Sequence, residues 1–445
     1  MLAFACAFTM FAGAAFTDSA DIKVKSEVVD TLVELGVIQG YDDGSFRPNE
    51  TVTRAQMAKM IYVLRTGNSD ASAYNDDYTT FTDISTHWGR GYIKYCQSLG
   101  IIAGKSATVF APDVKVTTQE AAKMLLVTLG YDAKKAGLVG TGWASKTNAL
   151  ADENGLLEDV NTSFAGPCPR QYAAQLIYNT IDAPTVVWRD DAYHHTNVLD
   201  KDNQTVGEKY MSLKKTTSTL TKVTKTSGKD TYTITLNPEQ EVIDWDNTTE
   251  EYGKALTEFT DVKKDYTDLL YKTVTVLHKD RKTVFGVYAT DDNTQQSNIL
   301  KKLEMDGAKV KLDGTKYDLA ATSKQTVYVN GDVLYTNSGA TAFSTTKDAT
   351  YTTKATIKQF VDTYGNKPTS GTKFEDSKYW QGTEVSLMAT DGTSNYSILK
   401  VKTFAVGKVT AVGSDYVNVT YKKGDSDIIT KTKLCLLYTS DAADD

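Results

Sequence analysis

The sequence predicts an α+β multidomain protein, in which a helical module of three repeats precedes β-rich, sandwich-like domains. Two observations carry this prediction. A segment of the N-terminal part recurs 64 positions later, and beyond residue 190 the composition shifts to strand-forming Thr, Val and Tyr. With 445 residues, the chain is too long for one ordinary domain.

The repeat covers a helix end, a loop and the start of the next helix. Leu35-Gly36-Val37-Ile38 recurs as Leu99-Gly100-Ile101-Ile102, and Phe46-Arg47-Pro48 recurs as Phe110-Ala111-Pro112. A third, worn copy follows at an offset of 55, where Trp143 corresponds to Trp88. Because such units rarely bury their apolar faces alone, three in a row predict one module with a pseudo-threefold arrangement of helix-loop-helix prongs.

Helix signals agree with this reading. Thr53 and Gln56 have the spacing of a capping box at the start of the second helix, and Thr117 and Glu120 repeat it. Cys96 takes the place of a core leucine, so we expect a small buried hydrophobic residue there and not a reactive thiol.

Composition excludes several classes of protein. The net charge is −7 and the pI is about 5.3, without a basic stripe, which argues against a nucleic-acid partner. The chain has 4 Cys and 4 His, too few for a disulfide framework or a zinc site, and the sequence indicates no cofactor and no metal.

Both ends of the chain have unusual composition. Residues 1–15 are apolar and end in small residues, which is typical of a secretory signal peptide. Residues 434–445 break the preceding strand pattern and are interpreted as a non-native tail. No later apolar run is long enough for a transmembrane helix, so we expect an exported protein at the cell wall.

The repeats resemble the S-layer homology family. Its pattern appears as Phe16-Thr17-Asp18 and Phe81-Thr82-Asp83, as the loop Gly40 to Pro48, and as Thr53-Arg54-Ala55-Gln56. The resemblance implies a three-pronged helical module that binds a secondary cell-wall polysaccharide, often one carrying ketal-linked pyruvate. Two departures weaken the pattern: Thr118 replaces the arginine in the second copy, and the loop of the third copy is shortened.

The resemblance also implies the binding residues. An arginine can fork onto a pyruvate carboxylate, a tryptophan can stack on a sugar, and loop glycines let backbone N–H groups approach a ligand. Alternatives stay open for each class: a solvated surface charge, core packing between prongs, and aspartates that only brace a turn. The candidate polysaccharide-binding residues are Arg54, Arg170, Trp88, Trp143, Asp18, Asp83, Gly40, Gly44 and Gly104.

The expected domains follow from these signals. They are repeat 1 (16–66), repeat 2 (81–131), a degenerate repeat 3 (143–183), a β-rich domain with a helix (190–300) and a second β-rich domain (301–433), with a polar linker at 67–80. Helical pieces are expected near 250–270 and 354–364. Asn330-Gly331 between Val327-Tyr328-Val329 and Val333-Leu334-Tyr335 is a strong hairpin signal.

The chain carries no recognisable catalytic motif such as a nucleophile elbow, a zinc-protease helix or a phosphate loop. We therefore expect no enzyme, but a protein of a Gram-positive-like bacterium anchored non-covalently to a wall polysaccharide. Its β-rich part would be exposed and contribute to a surface lattice through self-association. The alternatives are an anchored adhesin or carbohydrate-binding protein and, less favoured, an anchored glycan hydrolase.

Overall fold

The computed structural model describes residues 16–196, 203–237, 256–299, 303–340, 342–364, 384–402, 408–412, 416–423 and 426–433. The expected signal peptide and the C-terminal tail lie outside the described residues. The chain divides into two compact units. The first comprises Met1–Ser218, Val223–Asp268 and Val274–Tyr288, and the second comprises Thr219–Lys222, Leu269–Thr273 and Ala289–Asp445.

Three pairs of helices form the N-terminal part of the first unit, which confirms the helical module, its third copy included. The pairs are α1 (Ser26–Glu34) with α2 (Arg54–Thr66), α3 (Arg90–Ser98) with α4 (Thr118–Leu129), and α5 (Trp143–Glu153) with α6 (Arg170–Asp182). Their apolar faces share one continuous core.

Both predicted capping boxes are present. The Thr53 hydroxyl accepts a hydrogen bond from the Gln56 N–H at 3.2 Å, and the Gln56 side chain accepts one from the Thr53 N–H at 2.8 Å. Thr117 and Glu120 make the same pair of bonds at the start of α4. Pro169 precedes α6 and supplies no side-chain cap.

A closed ring of backbone hydrogen bonds joins the three repeats just before their second helices. Val52 N–H donates to Cys168 O at 3.0 Å, Cys168 N–H donates to Val116 O at 2.8 Å, and Val116 N–H donates to Val52 O at 3.0 Å. All three residues are buried. Each repeat therefore bonds to both others at its centre, as the expected pseudo-threefold arrangement requires.

The two cysteines of this module are buried and free. Burial raises the pKa of the Cys96 thiol to about 12, and burial likewise raises the pKa of Cys168 to about 12. Both behave as small apolar core residues.

The expected linker at 67–80 packs against the second repeat. Ala71 is buried, and a Cβ atom at Gly91 of α3 would come within 2.2 Å of Ala71 O. The Tyr62 and Tyr92 hydroxyls donate to the backbone of this segment at Asp70 and Ser69. It includes the short 3-10 helix Ser72–Tyr74, one of four with Ser19–Asp21, Thr267–Leu269 and Thr322–Lys324 among the described residues.

The first unit does not end with the third repeat, so its extent differs from the boundary expected near residue 190. It continues with the hairpin of β1 (Val186–Arg189) and β2 (Ala192–His195) and with α7 (Val206–Met211). A five-stranded sheet follows, in the order β5 (Glu258–Val262), β4 (Tyr232–Leu236), β3 (Lys214–Lys225), β6 (Thr273–His278) and β7 (Val284–Ala289).

The helix expected near 250–270 is wrong over its described residues. β5 pairs there with β4, and only the 3-10 helix Thr267–Leu269 follows. Phe259 and Val262 of β5 are buried, so packing of the strand overrides a helical spacing that local propensity alone left plausible. Residues 250–255 lie outside the described residues.

The second unit contains several small sheets. The largest has five strands in the order β13 (Asp332–Val333), β12 (Thr326–Val329), β18 (Ile398–Lys402), β17 (Glu384–Ala389) and β8 (Thr294–Ile299). Three three-stranded sheets are β11 (Thr315–Asp318), β10 (Lys309–Leu312) and β9 (Leu303–Asp306); β15 (Phe343–Ser344), β14 (Tyr335–Asn337) and β16 (Tyr351–Lys354); and β19 (Lys408–Val412), β20 (Tyr416–Lys423) and β21 (Ser426–Lys433).

Local turn chemistry in this unit follows the sequence. Asn330 and Gly331 both have positive φ, 51° and 98°, and join β12 to β13 as the predicted hairpin. The expected helix at 354–364 is α8 (Ile357–Tyr364). Its apolar residues share a core with the five-stranded sheet and with β9 and β10, so a helix and a small sheet stand where a sandwich would place a second large layer.

Candidate functional site

The second helices of the three repeats begin in contact with a loop of another repeat. The first two N–H groups of α2 donate to Val114 O and Pro112 O, each at 3.0 Å. Those of α6 donate to Glu50 O and Pro48 O, and those of α4 to Gly166 O and Phe164 O. The first side chain of each helix therefore lies beside a neighbouring loop: Arg54 on α2, Thr118 on α4 and Arg170 on α6.

Arg54 crosses into the loop of the second repeat. Its Nε donates to Phe110 O at 3.0 Å and its Nη2 to Ala103 O at 2.6 Å, while the guanidinium lies 4.4 Å from the Phe110 ring centroid. Only 4% of its surface is exposed. Burial lowers the pKa of Arg54, and the carboxylates of Glu120 and Asp83 oppose that shift.

Arg170 takes the same position against the loop of the first repeat. Its Nη2 donates to Gln39 O, which corresponds to Ala103, and its guanidinium lies 5.1 Å from the rings of both Tyr41 and Phe46. Burial lowers the pKa of Arg170, and Tyr41 and Glu50 raise it. At the third position Thr118 is fully buried and short, so that groove has no arginine.

The two aspartates brace these loops. Asp18 accepts the N–H groups of Phe46 and Arg47 at 2.8 and 2.7 Å, and Asp83 accepts those of Phe110 and Ala111 at 3.0 and 2.7 Å. The second residue of each pair has a positive φ, 56° and 61°, which is uncommon for a residue other than glycine. The bracing alternative considered for Asp18 and Asp83 is therefore the contact observed.

The three glycines shape the same loops. A Cβ atom at Gly104 would lie 2.2 Å from Ser106 O and 2.6 Å from the Phe81 ring. At Gly40 it would lie 2.6 Å from the Phe16 ring, and Gly44 has a φ of 76°. The close approach at Gly40 and Gly104 is thus made by a phenylalanine of the same repeat.

Two clusters result. The first loop brings together Arg170, Asp18, Gly40 and Gly44, and the second brings together Arg54, Asp83 and Gly104. Phe110 links the second cluster directly, since its N–H donates to Asp83 and its carbonyl accepts from Arg54.

A known family has this combination of residues. The sequence model of the S-layer homology domain matches residues 15–58 and 80–122. The chain carries S-layer homology repeats. The matched segments hold the first two copies, and the third S-layer homology copy is recognised from the pairing of α5 with α6 and from the backbone ring.

Curated relatives agree with this assignment. A surface layer protein of Brevibacillus choshinensis is 27% identical over 189 residues, which is 42% of this chain and 16% of the relative. A cellulosome-anchoring protein of Acetivibrio thermocellus is 26% identical over 110 residues, or 25% of each chain. The exoglucanase XynX of the same organism is 28% identical over 107 residues, 22% of this chain and 9% of the relative.

This chain therefore matches at most a quarter of the length of these three relatives. Among the residues that the structure describes, none of the helices combines the length and hydrophobicity that crossing a membrane requires.

The tryptophans of the S-layer homology repeats differ from each other. Trp88 is 55% exposed and lies against His87, with ring centroids 5.2 Å apart. Trp143, its counterpart in the third copy, is half-buried, and the Lys123 ammonium lies 5.3 Å from its ring centroid. Of the two alternatives for Trp88, core packing does not fit this exposure.

Several residues near the arginines were missed by the sequence analysis. Lys123 follows Glu120 by one helical turn on α4, and Lys59 follows Gln56 in the same way on α2. Their signal was the 64-residue offset itself, which places lysine at 59 and 123 but glutamine at 56 and glutamate at 120. Such a difference between copies has meaning only once the structure shows which groups face each arginine.

Proposed function

We propose that the three S-layer homology repeats attach this protein, exported to the cell surface, non-covalently to a polysaccharide of the cell wall. The observation that carries the proposal is the pair of loops from different repeats, each with an arginine across it, next to the exposed ring of Trp88. Arginine suits an acidic substituent such as ketal-linked pyruvate, and an exposed indole suits a sugar face.

The proposal extends to the rest of the chain. A relative named as a surface layer protein supports a β-rich part that is exposed at the cell surface and contributes to a surface layer. Repeats that match a structural surface protein and an anchoring protein favour a non-enzymatic role, and the glucanase relative matches over only 9% of its length.

Co-sedimentation of the full chain with purified cell-wall sacculi tests the anchor. The protein is incubated with sacculi before and after chemical removal of the non-peptidoglycan polymer, and bound protein is quantified. We expect binding to intact sacculi and its loss after stripping. Trp88→Ala should weaken it, whereas Tyr78→Ala, which removes another exposed aromatic ring, should not.

Binding that survives stripping would contradict a polysaccharide ligand and indicate peptidoglycan. If the full chain does not sediment with intact sacculi, the anchoring function itself is wrong.

A further inference from the structure

The two arginines of the module occupy equivalent positions but differ in the bonds they make. The Nε and Nη2 atoms of Arg54 both donate to loop carbonyls, and its side chain is almost inaccessible. Arg170 makes the Nη2 bond alone, and its buried Nε has no hydrogen-bond partner among the described residues. A buried donor without a partner is unfavourable, so Arg170 retains bonding capacity that the fold has used up at Arg54.

A second cation lies near Arg170. Lys59 of α2 is half-buried and makes no ion pair with any described carboxylate. Burial lowers the pKa of Lys59, and the charge of Arg170 lowers it further. Two cations that are partly removed from water and close enough to repel each other are stabilised by an anion between them.

The repeat-2 counterpart already contains a carboxylate. Glu120 forms an ion pair with Lys105 at 2.5 Å, and its charge opposes the lowering of the pKa that burial causes at Lys123. In repeat 1 the corresponding residues are Gln56 and Tyr41, which are neutral. Gln56 and Glu120 have the same capping role, so the two grooves differ at this position in charge and not in fold.

We propose that the groove of Arg170 and Lys59 is the one that binds a carboxylate-bearing saccharide, and that the groove of Arg54 and Lys123 does not take this group. This inference rests on the proposed wall-anchoring function and adds to it the chemical class of the ligand, the groove and two specificity-determining residues, Lys59 and Gln56. The acid would bridge the Arg170 guanidinium and the Lys59 ammonium, and the backbone bonds of Arg54 would hold the other loop in shape.

Titration calorimetry on the full chain tests this assignment. The probes are a monosaccharide with a 4,6-ketal of pyruvate, its methyl ester, and glucuronic acid. We expect one molecule of an acidic probe per chain, weaker binding at high salt and no binding of the ester. The comparison of the two acids identifies whether the ketal or any sugar carboxylate is recognised.

Substitutions locate the groove. Lys59→Gln and Arg170→Gln should each weaken binding of the acidic probe by about tenfold or more, since each removes a charge-assisted bond. Lys123→Gln is the matched control and should leave binding unchanged. Gln56→Glu should weaken binding comparably while keeping the capping box, so it tests the site without disturbing the helix.

Three results would overturn the assignment: two acidic molecules bound per chain, equal losses in Lys59→Gln and Lys123→Gln, or no binding of either acid. If the wild-type chain still sediments with intact sacculi in the assay above, such a result refutes this assignment alone. If sedimentation also fails, the anchoring function fails with it.

Discussion

At the scale of single residues, the loops depend on two carboxylates that do the same work in two repeats. Asp18 and Asp83 each accept two consecutive backbone N–H groups from a loop whose second residue has a positive φ. Burial raises the pKa of Asp83, but the N–H groups of Phe110 and Ala111 outweigh this effect and hold the pKa below its ordinary value. The ionised form is therefore the one that stabilises the fold.

Asp83→Ala should lower the free energy of unfolding by about 1 kcal/mol at pH 7, because two hydrogen bonds are lost at an exposed site. Since the folded pKa is lower than the unfolded one, this contribution is present above about pH 4 and is lost as the pH falls through the folded value. Urea unfolding of both proteins at pH 7 and pH 3 measures the difference. Asp113→Ala, which removes a neighbouring exposed carboxylate, should have little effect at pH 7, and an equal effect would contradict the assignment.

At the scale of elements, the starts of the second helices hold the module together. The first N–H groups of each bond to a loop of another repeat, and in α2 and α4 the third bonds to a threonine cap. These helix ends therefore have few free donors for an anion, and the arginine and lysine side chains are the groups left to attract one.

Thr53→Ala should cost about 1 kcal/mol of stability, since it leaves the Gln56 N–H without its cap. Thr53→Ser keeps the hydroxyl and should stay within about 0.5 kcal/mol of the parent. Thermal unfolding followed by circular dichroism distinguishes the two. If serine were as damaging as alanine, the threonine methyl group and not the cap would be the stabilising part.

At the scale of the whole molecule, the anchoring repeats share their compact unit with the chain that follows them. Arg65 of α2 donates to the Tyr210 hydroxyl at 3.0 Å and lies 4.2 Å from its ring centroid, and Thr31 of α1 donates to the Tyr288 hydroxyl at 3.0 Å. Residues beyond the third repeat thus complete the surface of the first, and a fragment that ends near residue 190 would lose both contacts.

Tyr210→Ala should destabilise the module by roughly 2 kcal/mol, through lost apolar area and the lost cation–π contact with Arg65. Tyr210→Phe keeps the ring and should cost about 1 kcal/mol or less. Hydrogen exchange of the α2 and α4 amides in the full chain reports the effect. Unchanged protection in Tyr210→Ala would show that the repeats are stable without the following segment.

Local signals in the sequence determined the elements of this protein well. The capping boxes, the Asn330-Gly331 turn and the 64-residue repeat each depend on neighbouring residues, so the helices, the hairpin and the number of prongs could be read directly. The helix expected near 250–270 failed because burial of Phe259 in a sheet depends on partners far along the chain.

The sequence by itself determined that three repeats exist and which residues are charged. Only the tertiary structure decided which arginine is closed and which retains a donor, because Arg54 and Arg170 have identical side chains and similar local motifs. Their difference arises from the loops opposite them, Phe110 and Ala103 against Phe46 and Gln39, which are brought there by the closed ring of backbone bonds. Hydrogen bonds between distant segments leave no mark on local sequence patterns, so this part of the site had to be read from the fold.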